Sequence, residues 1–309
     1  MTQVTISFDK STGRYNCSVN GIEFKSSNTS YIEYRYRKIT GTKKTFDEIC
    51  GNVTASEPAQ KPEERFDINT RFKFVEQLVK MVASGVQASA VITGQGGLGK
   101  SHTVVQTLQA AGFRDKGDLD NLPDGTVIPK ADKSYIQIKG FSTAKGLYRA
   151  LFENNGSIIV FDDIDIILKD AVALNILKGA LDSYGKRIIS WNADMRDDDL
   201  PRSFNFTGRV IFISNMRQGS IDQAIRSRSM MIDLSMTVEQ KLQRMEFLIK
   251  SPEFMSDFSM EHKNDALALI RRLAESARDI NLRTLIQVTK IRVACDSNWE
   301  AMAEYTICS

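Results

Sequence analysis

At 309 residues the chain is long enough for several domains, each with its own core. Its 42% hydrophobic and 26% charged residues are the composition of an ordinary soluble globular protein, and a formal net charge of +3 excludes a polyanion-coating role while giving nucleic acid only weak support. Cys17, Cys50, Cys295 and Cys308 lie far apart without a CxxC pair, and there are only two histidines; this excludes a zinc finger and suggests reduced thiols in a cytoplasmic compartment. The start MTQVTISFDK has no basic segment ahead of an apolar one, and no apolar run approaches about 18 residues, so neither secretion nor a membrane span is expected.

Residues 1–50 alternate with period two and predict a small β-rich N-terminal domain. Its strands are Val4-Thr5-Ile6-Ser7-Phe8, Tyr15-Asn16-Cys17-Ser18-Val19, and Tyr31 to Ile39, with turns at Asp9 to Gly13 and at Asn20-Gly21. The last of these interleaves Tyr31, Tyr34 and Tyr36 with Arg35, Arg37 and Lys38. Such a strand stacks bases and contacts phosphates, or equally buries tyrosine rings and turns its cations outward. Residues 51–64, GNVTASEPAQKPEE, have one large apolar side chain and two prolines, which predicts a linker.

From 65 to 235 short apolar runs alternate with helical stretches, the pattern of a parallel α/β sheet. The strands are Ala88–Thr93, Tyr135–Ile138, Ile158–Phe161, Arg187–Trp191 and Val210–Ser214, and a strand-like Met231 to Leu234 ends the region. Helices are expected over Arg71–Ala83, Lys100–Ala111, Ala144–Glu153 and Ala171–Ser183. Residues 236–309 read as helix throughout: Thr237 and Gln240 form a capping box, and further helices cover Glu261–Ala277, Leu282–Ala294 and Ser297–Tyr305.

Within the α/β region, Gly94-Gln95-Gly96-Gly97-Leu98-Gly99-Lys100-Ser101 fits GxxxxGK[ST] at every fixed position, with a strand before it and the helical Thr103 to Leu108 after it, and His102 counts with these eight as cofactor-binding. Glycines permit the φ > 0 turns that aim successive backbone N–H groups inward as an anion nest. Lys100 is the residue type that reaches β- and γ-phosphates, and a hydroxyl at Ser101 suits Mg²⁺. Farther on, Lys139-Gly140-Phe141-Ser142-Thr143 reads as the start of a helix capped by Ser142 or Thr143, with Phe141 as its hydrophobic staple. The strand Ile158 to Phe161 delivers Asp162 and Asp163 to the sheet edge where α/β folds bind ligands, Asp162 suited to Mg²⁺ and Asp163 to polarising water. Asp165 is expected to cap the next helix. Asn192 to Asp199 is too polar for the core. Asn215 sits at the tip of another strand, and Arg226 and Arg228 follow before Met231.

In this order the segments resemble those of the AAA+ ATPases, over about residues 66–300. The resemblance implies that Gly94–Ser101 is similar to Walker A, Asp162-Asp163 to Walker B and Asn215 to sensor 1. It implies an arginine finger at Arg228, with Arg226 second, and a sensor 2 at Arg283 within Asn281-Leu282-Arg283-Thr284-Leu285. The implied architecture is a P-loop parallel-sheet core with a C-terminal helical lid, binding ATP and Mg²⁺ and assembling as a homo-oligomeric ring, a hexamer. Such a ring would remodel or translocate a macromolecule through its pore, a polypeptide if Lys139 and Phe141 line that pore, or else DNA or RNA; a nucleotide-gated assembly role is the remaining reading. The family usually has Asp-Glu where this chain has Asp-Asp, a form that resembles phage-encoded members and implies a phage origin and the host cytoplasm. No NKxD-like base-reading motif of a GTPase is visible.

Overall fold

A computed structural model describes residues 3–9, 12–50, 65–120, 133–140, 143–163, 165–182, 185–191, 200–295 and 297–309. The linker 51–64, the pore candidate Phe141, the alternative cap Ser142 and the loop 192–199 lie outside them. The chain divides into two compact units, Met1–Arg65 and Phe66–Ser309.

In the first unit, β1 (Val4–Asp9), β2 (Arg14–Val19) and β3 (Ile22–Ser26) form an antiparallel sheet in sequential order. Ile6 faces Cys17, which faces Phe24. Asn20 and Gly21, at φ 49° and 82°, make the two-residue turn whose twist suits a hairpin. Contrary to the alternation of its tyrosines, Thr29–Thr40 is a helix, α1, and not a strand. Asn28 caps it by accepting from Ser30 N at 2.9 Å, and Gly41, at φ 73°, closes it by donating to Arg37 O at 2.9 Å. Ile32 and Tyr36 are buried, and Tyr36 and Ile39 join Val4, Val19, Ile6 and Phe24. Spaced i, i+4, i+7, these three share one helical face; a strand would send Ile32 and Ile39 to opposite sides. A short helix, α2 (Phe46–Cys50), adds Ile49 to this core.

In the second unit α3 (Ile68–Ser84) precedes β4 (Ser89–Thr93), α4 (Lys100–Ala110), β5 (Arg114–Asp115), α5 (Lys116–Asp120), β6 (Ser134–Lys139), α6 (Ala144–Glu153), β7 (Ile158–Asp162) and α7 (Ala171–Ala180). Then come β8 (Ile188–Ser190), β9 (Ser203–Asn205), β10 (Arg209–Ile213), α8 (Gln223–Arg228) and β11 (Met230–Asp233). Six strands form one parallel sheet in the order β11-β4-β10-β7-β6-β5. β4 and β7 are buried along their whole length, as strands covered on both faces must be. Ala90, Ile92, Val160 and Ile211 pack on one side with Val75, Val79, Val104 and Leu108 of α3 and α4. Val91, Ile159, Phe161 and Phe212 pack on the other with Leu147, Leu151 and Leu177 of α6 and α7.

The expected strand at Arg187–Trp191 is not part of this sheet. β8 pairs antiparallel with β9 as a separate ribbon, Ile189 facing Phe204. Only Ile189 of its three residues is buried while Ile188 is exposed, so the run has one apolar face, and a central parallel strand needs two.

The C-terminal segment holds α9 (Val238–Ile249), α10 (Met260–Arg272), α11 (Leu282–Ala294) and α12 (Trp299–Cys308) around Met245, Ile249, Leu269, Ile270, Leu285 and Val288. The capping box read at Thr237 and Gln240 starts α9. No helix among the described residues is long and apolar enough to cross a membrane.

Candidate functional site

The sheet brings the ends of three strands together. Ile213 is in register with both Ile92 and Asp162, so β10 lies between β4 and β7 and sets Asn215 beside both the glycine loop and the acidic pair. No sequence spacing contains this, because the neighbours are separated by the helices between strands.

Gly94, Gly97 and Gly99 take φ of 136°, 72° and 87°. Two of them also answer a close approach that the motif does not express. A Cβ at Gly94 would lie 2.9 Å from the carbonyl carbon of Leu234, and one at Gly97 2.9 Å from Asn281 Cγ. Lys100, buried in the first turn of α4, donates to Gly94 O and Gln95 O at 2.7 Å each and to Asn215 Oδ1 at 2.9 Å. All three ammonium protons therefore have acceptors. Burial holds its pKa below the usual lysine range; Asp163, Asp162 and Asp165 oppose that shift and Arg283 adds to it.

The two acids differ in surroundings. Asp162 is buried, and both its oxygens are engaged: Ser101 Oγ donates to Oδ1 and Gln137 Nε2 to Oδ2, each at 2.9 Å, with Lys139 Nζ at 3.9 Å from Oδ2. Asp163 is exposed, stands at φ 57°, and accepts from Asn215 Nδ2 at 2.5 Å. The Asn215 amide thus joins Lys100 on its oxygen side to Asp163 on its nitrogen side. Asp165 does not cap the next helix. It accepts from Ser214 Oγ at 2.5 Å, and Asp170, nearer in sequence, caps α7 through Ala173 N at 2.7 Å. Likewise Thr143 caps α6, accepting from Gly146 N at 3.1 Å.

The C-terminal segment closes over the loop. Leu282 N donates to Gly97 O at 2.9 Å, and Met236 N to Gln95 Oε1 at 3.1 Å. Asn281 caps α11 through Arg283 N and Thr284 N at 2.8 and 3.2 Å. Together these surfaces bound a cleft of about 800 Å³, lined among others by Gly96–Ser101, His102, Asp162, Asp163, Asn215 and Arg283. Glu76, Arg244, Phe247, Phe254 and Ile286 line it as well. Arg244 is buried against Phe72, its Cζ 3.8 Å from the ring centroid, and its Nη1 donates to Asn69 Oδ1 at 2.9 Å. Burial lowers its pKa to about 10, partly offset by Glu76.

Arg226 and Arg228 lie on α8, before the edge strand β11, and neither lines the cleft. Arg226 is exposed; Arg228 donates to Ala224 O at 3.2 Å, and its buried Nε has no acceptor among the described residues. Sequence reading missed Gln137 and Arg244. For Gln137 a signal existed, a polar residue inside an otherwise apolar strand; Arg244 looked like any charge on an amphipathic helix.

No family model matches the sequence. Over 254 residues the chain is 27% identical to an "Uncharacterized 36.7 kDa protein in nrdC-mobD intergenic region" of Enterobacteria phage T4, an alignment covering 76% of this chain and 73% of that protein. The chain is therefore similar to a phage-encoded protein.

Proposed function

We propose that the protein binds Mg²⁺-ATP in this cleft and hydrolyses it as an AAA+ ring ATPase, a hexamer that remodels or translocates a macromolecule. One observation carries the reading: Lys100 and Ser101 at the end of a glycine loop converge with Asp162, Asp163 and Asn215 from two neighbouring strands. The cradle fits a triphosphate substrate. Its glycines hold φ values that side chains resist, its cation is buried, and about 800 Å³ is the size of a small-molecule site. Hydroxyl and carboxylate oxygens at Ser101 and Asp162 suit Mg²⁺, which when bound neutralises charge on the phosphates.

The chain's own groups then divide the work. Lys100 exchanges neutral carbonyl and amide acceptors for phosphate oxygens. Asp162, with both oxygens engaged, is fixed in place. Asp163, exposed and held through Asn215, orients water and takes its proton. Its left-handed backbone aims a side chain one methylene shorter than the family's glutamate. Arg283 reaches the phosphates from α11. Arg226 and Arg228, outside their own cleft, serve a neighbour's site, which is the argument for a ring. As for the macromolecule, Phe141 favours a polypeptide and the basic, aromatic α1 favours a nucleic acid.

Phosphate release tests the reading. Lys100→Ala should lose ATP binding, and Asp163→Asn should bind ATP with turnover lowered about 100-fold. Arg228→Ala should hydrolyse poorly and regain activity when mixed with Lys100→Ala, since one keeps the cleft and the other the finger. Wild-type ATP affinity in Lys100→Ala would remove the assignment. A monomer with concentration-independent turnover would remove the ring.

A further inference from the structure

We infer that the outward face of α1 in the N-terminal unit is a binding surface for a single-stranded polynucleotide. The inference does not rest on the ATPase reading. Folding Thr29–Thr40 as a helix sorts its side chains into two stripes. Ile32, Tyr36 and Ile39 turn inward, and Tyr31, Tyr34, Arg35 and Lys38 recur at i, i+3, i+4 and i+7 on the adjacent face, where Tyr31, Tyr34 and Lys38 are exposed and Arg35 is half-buried. Tyr31 and Tyr34 are 44% and 53% exposed, more than their own core requires of them.

The rings form a row. Phe24 and Tyr31 have centroids 6.5 Å apart, and Tyr31 and Tyr34 6.4 Å. Lys38 Nζ lies 5.6 Å from the Tyr34 centroid and Arg35 Cζ 5.2 Å from that of Phe24. Of these rings Tyr31 and Tyr34 are exposed, and exposed aromatic rings with cations against them are what stacks unpaired bases and holds the phosphates between them. A duplex hides its base faces and offers these rings nothing to stack on.

Charge points to the same partner. Between residues 25 and 44 stand Lys25, Arg35, Arg37, Lys38, Lys43 and Lys44 against Glu33 alone. Glu33 is occupied, its Oε1 accepting from Phe46 N at 2.7 Å. Of the described acids just outside this stretch, Glu23 is exposed and Glu48 accepts from Thr45 N and Oγ1 at 2.8 and 3.0 Å. The stretch is thus cationic, six basic residues to one acid, although the chain as a whole carries only +3.

The test is fluorescence anisotropy of a labelled oligo-dT of about 20 nucleotides with the full chain and no added nucleotide, so that a failed ATPase reading cannot affect it. Binding is expected at low salt, with a log–log salt slope of about −2 to −3 for three or four neutralised phosphates. Tyr31→Ala and Tyr34→Ala should each weaken it about tenfold, the phenylalanine variants should retain it, and Lys38→Glu should flatten the slope. Circular dichroism should report unchanged melting, since both rings are exposed. Absent binding at low salt, or wild-type affinity in the double alanine variant, overturns the inference. So does displacement of the oligonucleotide by an acidic peptide as readily as by unlabelled oligo-dT, which would make the face a protein dock.

Discussion

Gly97→Ala isolates the seam between the glycine loop and the C-terminal helices. A residue with a side chain at φ 72° pays about 1 kcal/mol for the left-handed backbone. Its Cβ would lie 2.9 Å from Asn281 Cγ, so that side chain must turn away and release the N-cap of α11, worth about 1 kcal/mol. The same shift strains Leu282 N to Gly97 O at 2.9 Å, a hydrogen bond worth about 1 kcal/mol net. Together the loss is about 3 kcal/mol, or a fall in melting temperature of about 6–12 °C for a unit of this size. Calorimetry of the ligand-free protein measures it. Asn281→Gly should cost only a few tenths of a kcal/mol as a cap, since glycine is tolerated there. Combined with Gly97→Ala it removes the collision but not the left-handed backbone cost, so about half of the lost melting temperature should return. If Gly97→Ala melts with the wild type, or the double variant melts no higher than the single one, the packing argument is refuted.

Three further outcomes follow from the site. Asn215→Ala unlinks Lys100 from Asp163; turnover should fall about 100-fold while ATP still binds, and wild-type phosphate release would dismiss the bridging role. Gln137→Ala frees one oxygen of Asp162, so the Mg²⁺ concentration for half-maximal phosphate release should rise about tenfold or more, without loss of ATP affinity at saturating metal. Burial lowers the Lys100 pKa in the free protein and phosphate oxygens would raise it, so binding should take up protons between those two values and weaken as pH rises through them. Calorimetry in buffers of different ionisation enthalpy reads that uptake, and its absence at every alkaline pH would contradict the contact.

Much of the site was legible because it is local. Gly94 to Ser101 bears its own turn chemistry, and the apolar run ending in Asp162 announces a buried strand with acids at its tip. The cap at Thr237 and the turn at Asn20-Gly21 were equally readable, since each depends on residues within a few positions. α1 was misread where two periodicities overlapped: Tyr34 and Tyr36 alternate like a strand, and only the core beneath Tyr36 and Ile39, with Ile32 buried on the same face, decides for the helix. Arg187–Trp191 was misread because a run of apolar residues does not say how many of its faces are covered.

What the sequence alone determined was the chemistry available: a glycine loop with its lysine and serine, an acidic strand tip, and the alternation of strands with helices. What only the tertiary structure decided was which of these residues meet. The order β4-β10-β7 puts Asn215 between Lys100 and Asp163, Gln137 comes to Asp162 from the next strand, and Asn281 reaches Gly97 from a helix far along the chain. Local pattern reflects backbone preferences over a few residues. Strand order and close approach reflect the burial of whole faces, and burial is a property of pairs of elements that no single segment carries.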